Sequence, residues 1–296
     1  MLDWSVDIET YEAHEAQVGR FTVRRALPQR SRRTVGAWCF ADHMGPADVT
    51  EGAGLDVGPH PHIGLQTVTW LLDGQALHKD TLGSEQVISP GQLNLMTAGN
   101  AVAHAEEATG HYRGRLEGIQ LWVALPEATR HGEAAFEHHA DLPRTELAHG
   151  AGDATVLVGE FGGAVSPARR DTALMGADLD LRGRAVVPLD PSFEHALIVL
   201  RGTVAVGGVP LVPGKLAHVG IGTSELVLDV DGLARVMLLG GEPFPEPITM
   251  WWNFVARTHD EIDAAYASWR DDDGRFGRVT STLPTIPAPA PPWLRP

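Results

Sequence analysis

Two pairs of metal-binding side chains dominate the chemistry available to this 296-residue chain. His60 and His62 form one pair, and His104 and Glu106 form the other, with one residue between the members of each pair. Side chains two positions apart on a β-strand point to the same face. Two such strands lying side by side would therefore place three imidazoles and one carboxylate around a single ion.

The sequence between the two pairs is typical of antiparallel strands joined by hairpins. The run 65–72 is rich in β-branched and large apolar residues and ends at Asp73-Gly74, and Ser89-Pro90-Gly91 precedes a second apolar run. Such runs, interrupted by Asp-Gly and Pro-Gly turns, are what a small antiparallel barrel needs. We therefore expect both pairs on strands of one barrel.

Three imidazoles and one carboxylate suit Fe(II), Mn(II), Ni(II), Cu(II) or Zn(II), and the ligands alone do not choose among these ions. Four protein ligands on a six-coordinate ion leave two positions for water or substrate. A cationic centre in an apolar barrel favours an anionic, chelating oxygen ligand such as an enol or phenol. Glu106 is the candidate general base for the substrate hydroxyl. Trp70, Met96 and Trp122 are interpreted as core residues that could also line the pocket.

Composition restricts the partners and the compartment. The formal charge of −15 argues against direct binding to nucleic acid through a basic patch. A single cysteine, Cys39, allows no intramolecular disulfide and fits a reducing compartment. The first residues lack the pattern of a signal peptide, and no apolar stretch approaches the ~20 residues of a membrane span. We expect a soluble, cytoplasmic protein with no membrane partner.

The second half of the chain weakly repeats the first. The apolar run 193–200 ending at Arg201-Gly202 mirrors the run ending at Asp73-Gly74, and Pro213-Gly214 mirrors Pro90-Gly91. The two alignments place the residues Pro188, Asp190, Val227 and Asp229 at the positions of His60, His62, His104 and Glu106. These residues predict a second barrel of the same design that lacks a metal site.

The expected domains are a metal-binding barrel over residues 1–135 and an empty barrel over 150–245. A segment over 246–296 is expected to return to the first half, with a helix over about 258–271 and a Pro-rich, extended tail. Thr258 and Glu261 form a capping box, and an apolar stripe at helical spacing follows them. Residues 1–20 are expected to be a loosely packed lead-in with one short helix.

The motifs resemble a known family. The Gly-x5-His-x-His spacing that starts at Gly54 looks like the first cupin motif. His60-Pro-His-x-Gly, with Met96-Thr-Ala-Gly and His104-Ala-Glu, is more specific and resembles the pirins. Pirins are bicupins, and the likeness runs from about residue 21 to about residue 278. The resemblance implies an all-β fold of two cupin-type antiparallel barrels packed together, with a C-terminal α-helix.

The resemblance also implies a function. Pirins hold a non-haem iron through four residues that match His60, His62, His104 and Glu106, so Fe(II) is the expected metal. Some bacterial pirins are similar in activity to quercetin dioxygenases, which implies a flavonol-type phenol and dioxygen as substrates. The alternative is a non-enzymatic iron-binding regulator that docks on a transcription factor or a metabolic enzyme. One departure is visible: Ile63 and Gln66 stand where pirins commonly have Arg and Glu.

Overall fold

The computed structural model of the chain describes residues 7–50 and 53–294. Strands predominate, and one α-helix lies near the C-terminus. Within the described residues, no helix has the length and apolar character needed to cross a membrane.

The strands of the first half of the chain are β1 Ile8–Glu12, β2 His14–Val18, β3 Phe21–Leu27, β4 Trp38–Val49, β5 Val57–His62, β6 Leu65–Asp73, β7 Ala76–Asp80, β8 Glu85–Ile88, β9 Leu93–Thr97, β10 Val102–Glu107, β11 Gly114–Ala124, β12 Ala135–His139 and β13 Arg144–Leu147. Those of the second half are β14 Gly152–Val158, β15 Glu160–Phe161, β16 Ala164–Val165, β17 Leu174–Arg182, β18 Ala185–Pro188, β19 Glu194–Arg201, β20 Val204–Val206, β21 Val209–Leu211, β22 Lys215–Val219, β23 Glu225–Val230, β24 Leu233–Gly241, β25 Thr249–Trp251 and β26 Phe254–Ala256. The α-helix α1 spans His259–Asp271, and short 3₁₀ turns cover Ala148–Gly150 and Pro292–Leu294.

The chain forms two compact units that are each discontinuous in sequence. The first unit comprises Gln17–Val23, Met44–Ala140 and Pro245–Pro296, and the second comprises Met1–Ala16, Arg24–His43 and Asp141–Phe244, in so far as these ranges are described. The expected domain over 1–135 differs from this division, because β1 hydrogen-bonds to β22, with Ile8 opposite Val219. The described residues of the expected N-terminal lead-in thus form strands β1 and β2 instead of a helix, whereas residues 1–6 lie outside the described part.

Each unit is built around a larger and a smaller antiparallel sheet. The larger sheets have the orders β12-β9-β6-β11-β4-β3-β2 and β1-β22-β19-β24-β17-β14-β13. The smaller ones have the orders β5-β10-β7-β8 and β18-β23-β20-β21. In the second unit, buried residues of both sheets form one core, to which Leu179 and Val199 contribute from the larger sheet and Val187 and Leu226 from the smaller.

The strand orders show that one design is used twice. β6, β9 and β11 occupy the places that β19, β22 and β24 occupy in the other sheet, and β5 and β10 correspond to β18 and β23. The expected pair of antiparallel β domains of one design is therefore confirmed, with one correction. Each sheet of the described chain ends in edge strands, so the expected closed barrels are β-sandwiches.

The helix α1 is the C-terminal helix predicted from the capping box. The amide of Glu261 donates to the hydroxyl of Thr258 at 3.3 Å, and Asp272 ends the helix with a left-handed φ of 49°. The apolar stripe of α1 packs with Ile63 and Phe254, next to the strand that carries the His-x-His pair. The C-terminal segment therefore packs against the residue that follows that strand.

Candidate metal centre

β5 and β10 are hydrogen-bonded neighbours, and His104 lies directly opposite His60 in their register. Both His60 and His62 lie on β5, while His104 lies on β10. The alternation of side chains on these adjacent strands brings the three imidazoles to one place. Their candidate ligand atoms all lie within 4.8 Å of one another.

The three rings are buried and tightly grouped. The exposed fractions of His60, His62 and His104 are 7%, 1% and 2%. The centroids of His60 and His104 are 4.3 Å apart, and the Nε2 atoms of His62 and His104 are 3.1 Å apart. Within the described chain, this is the one cluster of His, Cys, Asp or Glu side chains with the spacing of a metal site.

Backbone carbonyls determine the tautomers of two rings. Nδ1 of His60 lies 2.8 Å from the carbonyl oxygen of Gly58, and Nδ1 of His62 lies 3.1 Å from that of Asn253. A carbonyl oxygen only accepts hydrogen bonds, so each Nδ1 carries a proton and donates it. In a neutral imidazole, the other nitrogen then has a free lone pair. Both rings therefore present Nε2 lone pairs to the cluster.

Burial keeps these rings neutral. Removal from water disfavours the charged imidazolium and lowers the pKa of His60 to about 4. The same loss of solvent, together with the neighbouring rings, lowers the pKa of His62 and of His104 well below the usual value. Neutral imidazole is the form that binds a metal ion. The Nε2 atoms of His62 and His104, 3.1 Å apart, are close enough for one to donate a hydrogen bond to the other or for both to bind one ion.

Glu106 lies outside the cluster of three histidines. The register between β10 and β5 shifts after His104, so Glu106 lies opposite Val57 instead of Gly58. Its side chain is 8% exposed, and its Oε1 is 3.5 Å from the hydroxyl of Thr69. Burial raises the pKa of the Glu106 carboxyl. Its role as the fourth ligand and as the catalytic base stays a prediction.

A polar and aromatic wall lies beside the cluster. The indole of Trp122 stands edge-on to His62, with ring centroids 5.2 Å apart. Gln120, two positions earlier on β11, pairs with Thr69, and their side-chain oxygens are 3.0 Å apart. Within the described chain, Nε2 of Gln120 is buried and has no hydrogen-bond partner. A buried amide donor without an acceptor is suited to an oxygen-bearing ligand.

Of the other predicted wall residues, Met96 packs with Ala98 and Val102, and Trp70 is fully buried. Ile63 and Gln66, the two departures from the pirin pattern, make contacts away from the three histidines. Ile63 belongs to the apolar cluster around Phe254, and Gln66 donates to the hydroxyl of Thr97 at 3.0 Å.

Sequence reasoning missed two residues that join this site. Nδ1 of His78 lies 3.4 Å from Nδ1 of His104, and Nε2 of His78 lies 3.0 Å from Oδ2 of Asp80. Both are buried on β7, which pairs with β10. The signal was present, because His78 and Asp80 also alternate along a strand, as the two recognised pairs do.

Comparison with known proteins agrees with this arrangement. Residues 20–123 match the family model described as Pirin, and residues 175–277 match that of the Pirin C-terminal cupin domain. The chain belongs to the pirin family. This pirin is 46% identical over 290 residues to a Pseudomonas aeruginosa protein named "Putative quercetin 2,3-dioxygenase", with 97% of this chain and 91% of that protein covered.

Two further relatives bear on the fold of this pirin. A Pirin-like protein of Caulobacter vibrioides is 38% identical over 268 residues, which cover 88% of this chain and 92% of that one. The crystal structure of a quercetin 2,3-dioxygenase from Acinetobacter baumannii superposes with a TM-score of 0.93 at 42% identity, covering 96% of each chain. The expected family is thereby confirmed, and relatives bearing a dioxygenase name match nearly the full length of the chain.

Proposed function

We propose that this pirin binds one divalent metal ion through His60, His62, His104 and Glu106 and acts as a dioxygenase on a flavonol or a related chelating phenol. The observation that carries the proposal is the convergence of three buried, neutral imidazoles whose candidate ligand atoms lie within 4.8 Å of one another. Its relatives named quercetin 2,3-dioxygenase support the choice of reaction.

The donor set fits a first-row transition metal. Imidazole nitrogens with a carboxylate suit iron, copper, manganese, nickel and zinc, and the histidine cluster lacks the thiolates that select softer centres. We propose Fe(II) as the native ion. When bound, such an ion supplies a positive charge for an ionised phenol and open positions for dioxygen chemistry.

The chain's own residues would prepare the substrate. Glu106, whose pKa is raised by burial, can accept the proton of a phenolic hydroxyl at Oε1, which lies 3.5 Å from the hydroxyl of Thr69. Nε2 of Gln120 can then donate a hydrogen bond to a substrate oxygen, since it has no other acceptor within the described chain. Trp122 beside His62 offers an apolar face for an aromatic ring and limits access of water.

The test is an aerobic assay of the metal-free protein reloaded with one equivalent of Fe(II), Cu(II), Mn(II), Ni(II) or Zn(II). Flavonol absorbance and dissolved oxygen are followed together, and products formed under ¹⁸O₂ are analysed by mass spectrometry. We expect equal consumption of flavonol and oxygen, with both labelled atoms in the products. Uptake of about one metal ion without turnover of any flavonol would favour the regulator hypothesis and remove the enzymatic one.

A further inference from the structure

His104 differs from the other two histidines of the cluster in the partner of its Nδ1 atom. Nδ1 of His60 and of His62 each face a backbone carbonyl, which is a fixed acceptor. Nδ1 of His104 instead faces Nδ1 of His78, an atom that can either donate or accept. The tautomer of His104 therefore depends on that of His78.

Asp80 determines the tautomer of His78. Oδ1 of Asp80 accepts hydrogen bonds from the amides of Leu82 and Ser84, both at 2.9 Å, and Oδ2 faces Nε2 of His78 at 3.0 Å. Burial opposes ionisation of Asp80, but the hydrogen bonds from His78 and Ser84 outweigh it and lower the pKa of this carboxyl. An ionised carboxylate only accepts, so Nε2 of His78 carries the proton and donates it. The Nδ1 lone pair of a neutral His78 is then free to accept.

The ring of His78 is held in this orientation by packing as well. It stacks on Phe136 with centroids 4.3 Å apart and planes 12° from parallel, and the side chain is 4% exposed. Asp80 is equally buried. A buried polar chain of this kind is stable only when each donor meets an acceptor.

We infer that Asp80 and His78 form a relay that holds His104 in its Nδ1-protonated tautomer, so that its Nε2 lone pair is available to the metal. His78 and Asp80 are positioning residues, because they act on the ion only through His104. The inference rests on the metal site proposed above and extends it by two residues. Outer hydrogen-bond partners of this kind commonly change metal affinity by about 10–100-fold.

The substitution Asp80→Asn reverses the relay with almost no change in volume. The amide oxygen of the variant still accepts from the two turn amides, so its NH₂ group faces Nε2 of His78. That nitrogen must now accept, and the proton of a neutral His78 moves to Nδ1. His104 can accept this hydrogen bond only by moving its own proton to Nε2, where it blocks the metal. We expect cobalt(II) to bind about 10–100-fold more weakly, with an altered visible spectrum.

Affinity is measured by chelator competition, and the fold of the metal-free protein is checked by circular dichroism. Asp178→Asn is the matched control, because Asp178 is a buried aspartate of the second unit that pairs with Arg235. A second pair of variants separates hydrogen bonding from packing. His78→Asn keeps an oxygen acceptor for His104 and should bind within a few-fold of wild type, whereas His78→Leu should lose about tenfold or more.

Imidazole ¹⁵N chemical shifts of the metal-free wild-type protein report the tautomers directly and require no variant. We expect protonated Nδ1 on His104 and protonated Nε2 on His78. The relay is overturned if His104 carries its proton on Nε2, or if Asp80→Asn binds cobalt(II) within twofold of wild type with an unchanged spectrum. Failure of the wild-type protein to bind any cobalt(II) would instead overturn the metal site itself, and the relay with it.

Discussion

Metal binding at the proposed site should measurably raise the thermal stability of the protein. An ion that binds the folded chain and not the unfolded one raises the free energy of unfolding by about 2.7 kcal/mol when it is present at 100 times its Kd. The site lies in the first unit, which has roughly 150 residues. For a unit of that size, 1 kcal/mol shifts the melting temperature by about 2–4 °C. The expected rise on adding metal is therefore about 5–11 °C.

The assay is differential scanning calorimetry of chelator-treated protein with and without added Zn(II), which avoids oxidation during the scan. His104→Ala removes one of the three converging imidazoles and should abolish most of the shift. The control is His138→Gln, since His138 lies in the same unit but bonds to Asn94 and not to the cluster. An equal shift in His104→Ala and wild type, or no shift in wild type, would refute the assignment of the site.

Three further outcomes are expected. Glu106→Gln should keep most of the bound metal, but its rate of flavonol turnover should fall about 100-fold or more, because an amide cannot accept the phenolic proton. An unchanged rate would exclude Glu106 as the base. Gly58→Ala should destabilise the protein by about 1–3 kcal/mol in urea unfolding, because its Cβ would lie 2.1 Å from the carbonyl oxygen of Pro284. An unchanged urea midpoint would show that the segment around Pro284 moves to make room for the methyl group. Burial lowers the pKa of His195 to about 4. As the pH falls from about 6.5 to 4, this histidine becomes protonated in the unfolded chain but stays neutral in the folded one, so the free energy of unfolding decreases. His195→Leu should remove up to about 3 kcal/mol of that decrease. If the free energy of unfolding of the variant falls as steeply with pH as that of wild type, His195 is not the group responsible.

Much of the site could be predicted from local rules. Alternation along strands is a purely local property, and it placed His60 and His62 on one face of their strand. That His104 lies beside them depends on the pairing of β5 with β10, which was an added expectation. The capping box at Thr258 likewise located the start of α1 correctly, because a helix end depends on residues within one turn of it.

What the sequence did not reveal depends on contacts between distant segments. The pairing of β1 with β22 joins the first residues of the chain to a strand some 200 residues later, and no local pattern indicates it. The shift of register beyond His104, which places Glu106 opposite Val57, is a property of two strands together. The acceptor for His62 is the main-chain oxygen of Asn253, and a main-chain atom leaves no mark in the sequence.

That last contact has a consequence for biosynthesis. Asn253 follows Trp252, which has a positive φ of 51° in the turn between β25 and β26, and it lies 191 positions after His62. A growing polypeptide that has reached only Phe244 already contains all the proposed ligands, but it lacks the carbonyl that accepts the Nδ1 proton of His62. The hydrogen bond that fixes the tautomer of His62 can therefore form only after residue 253 has been synthesised.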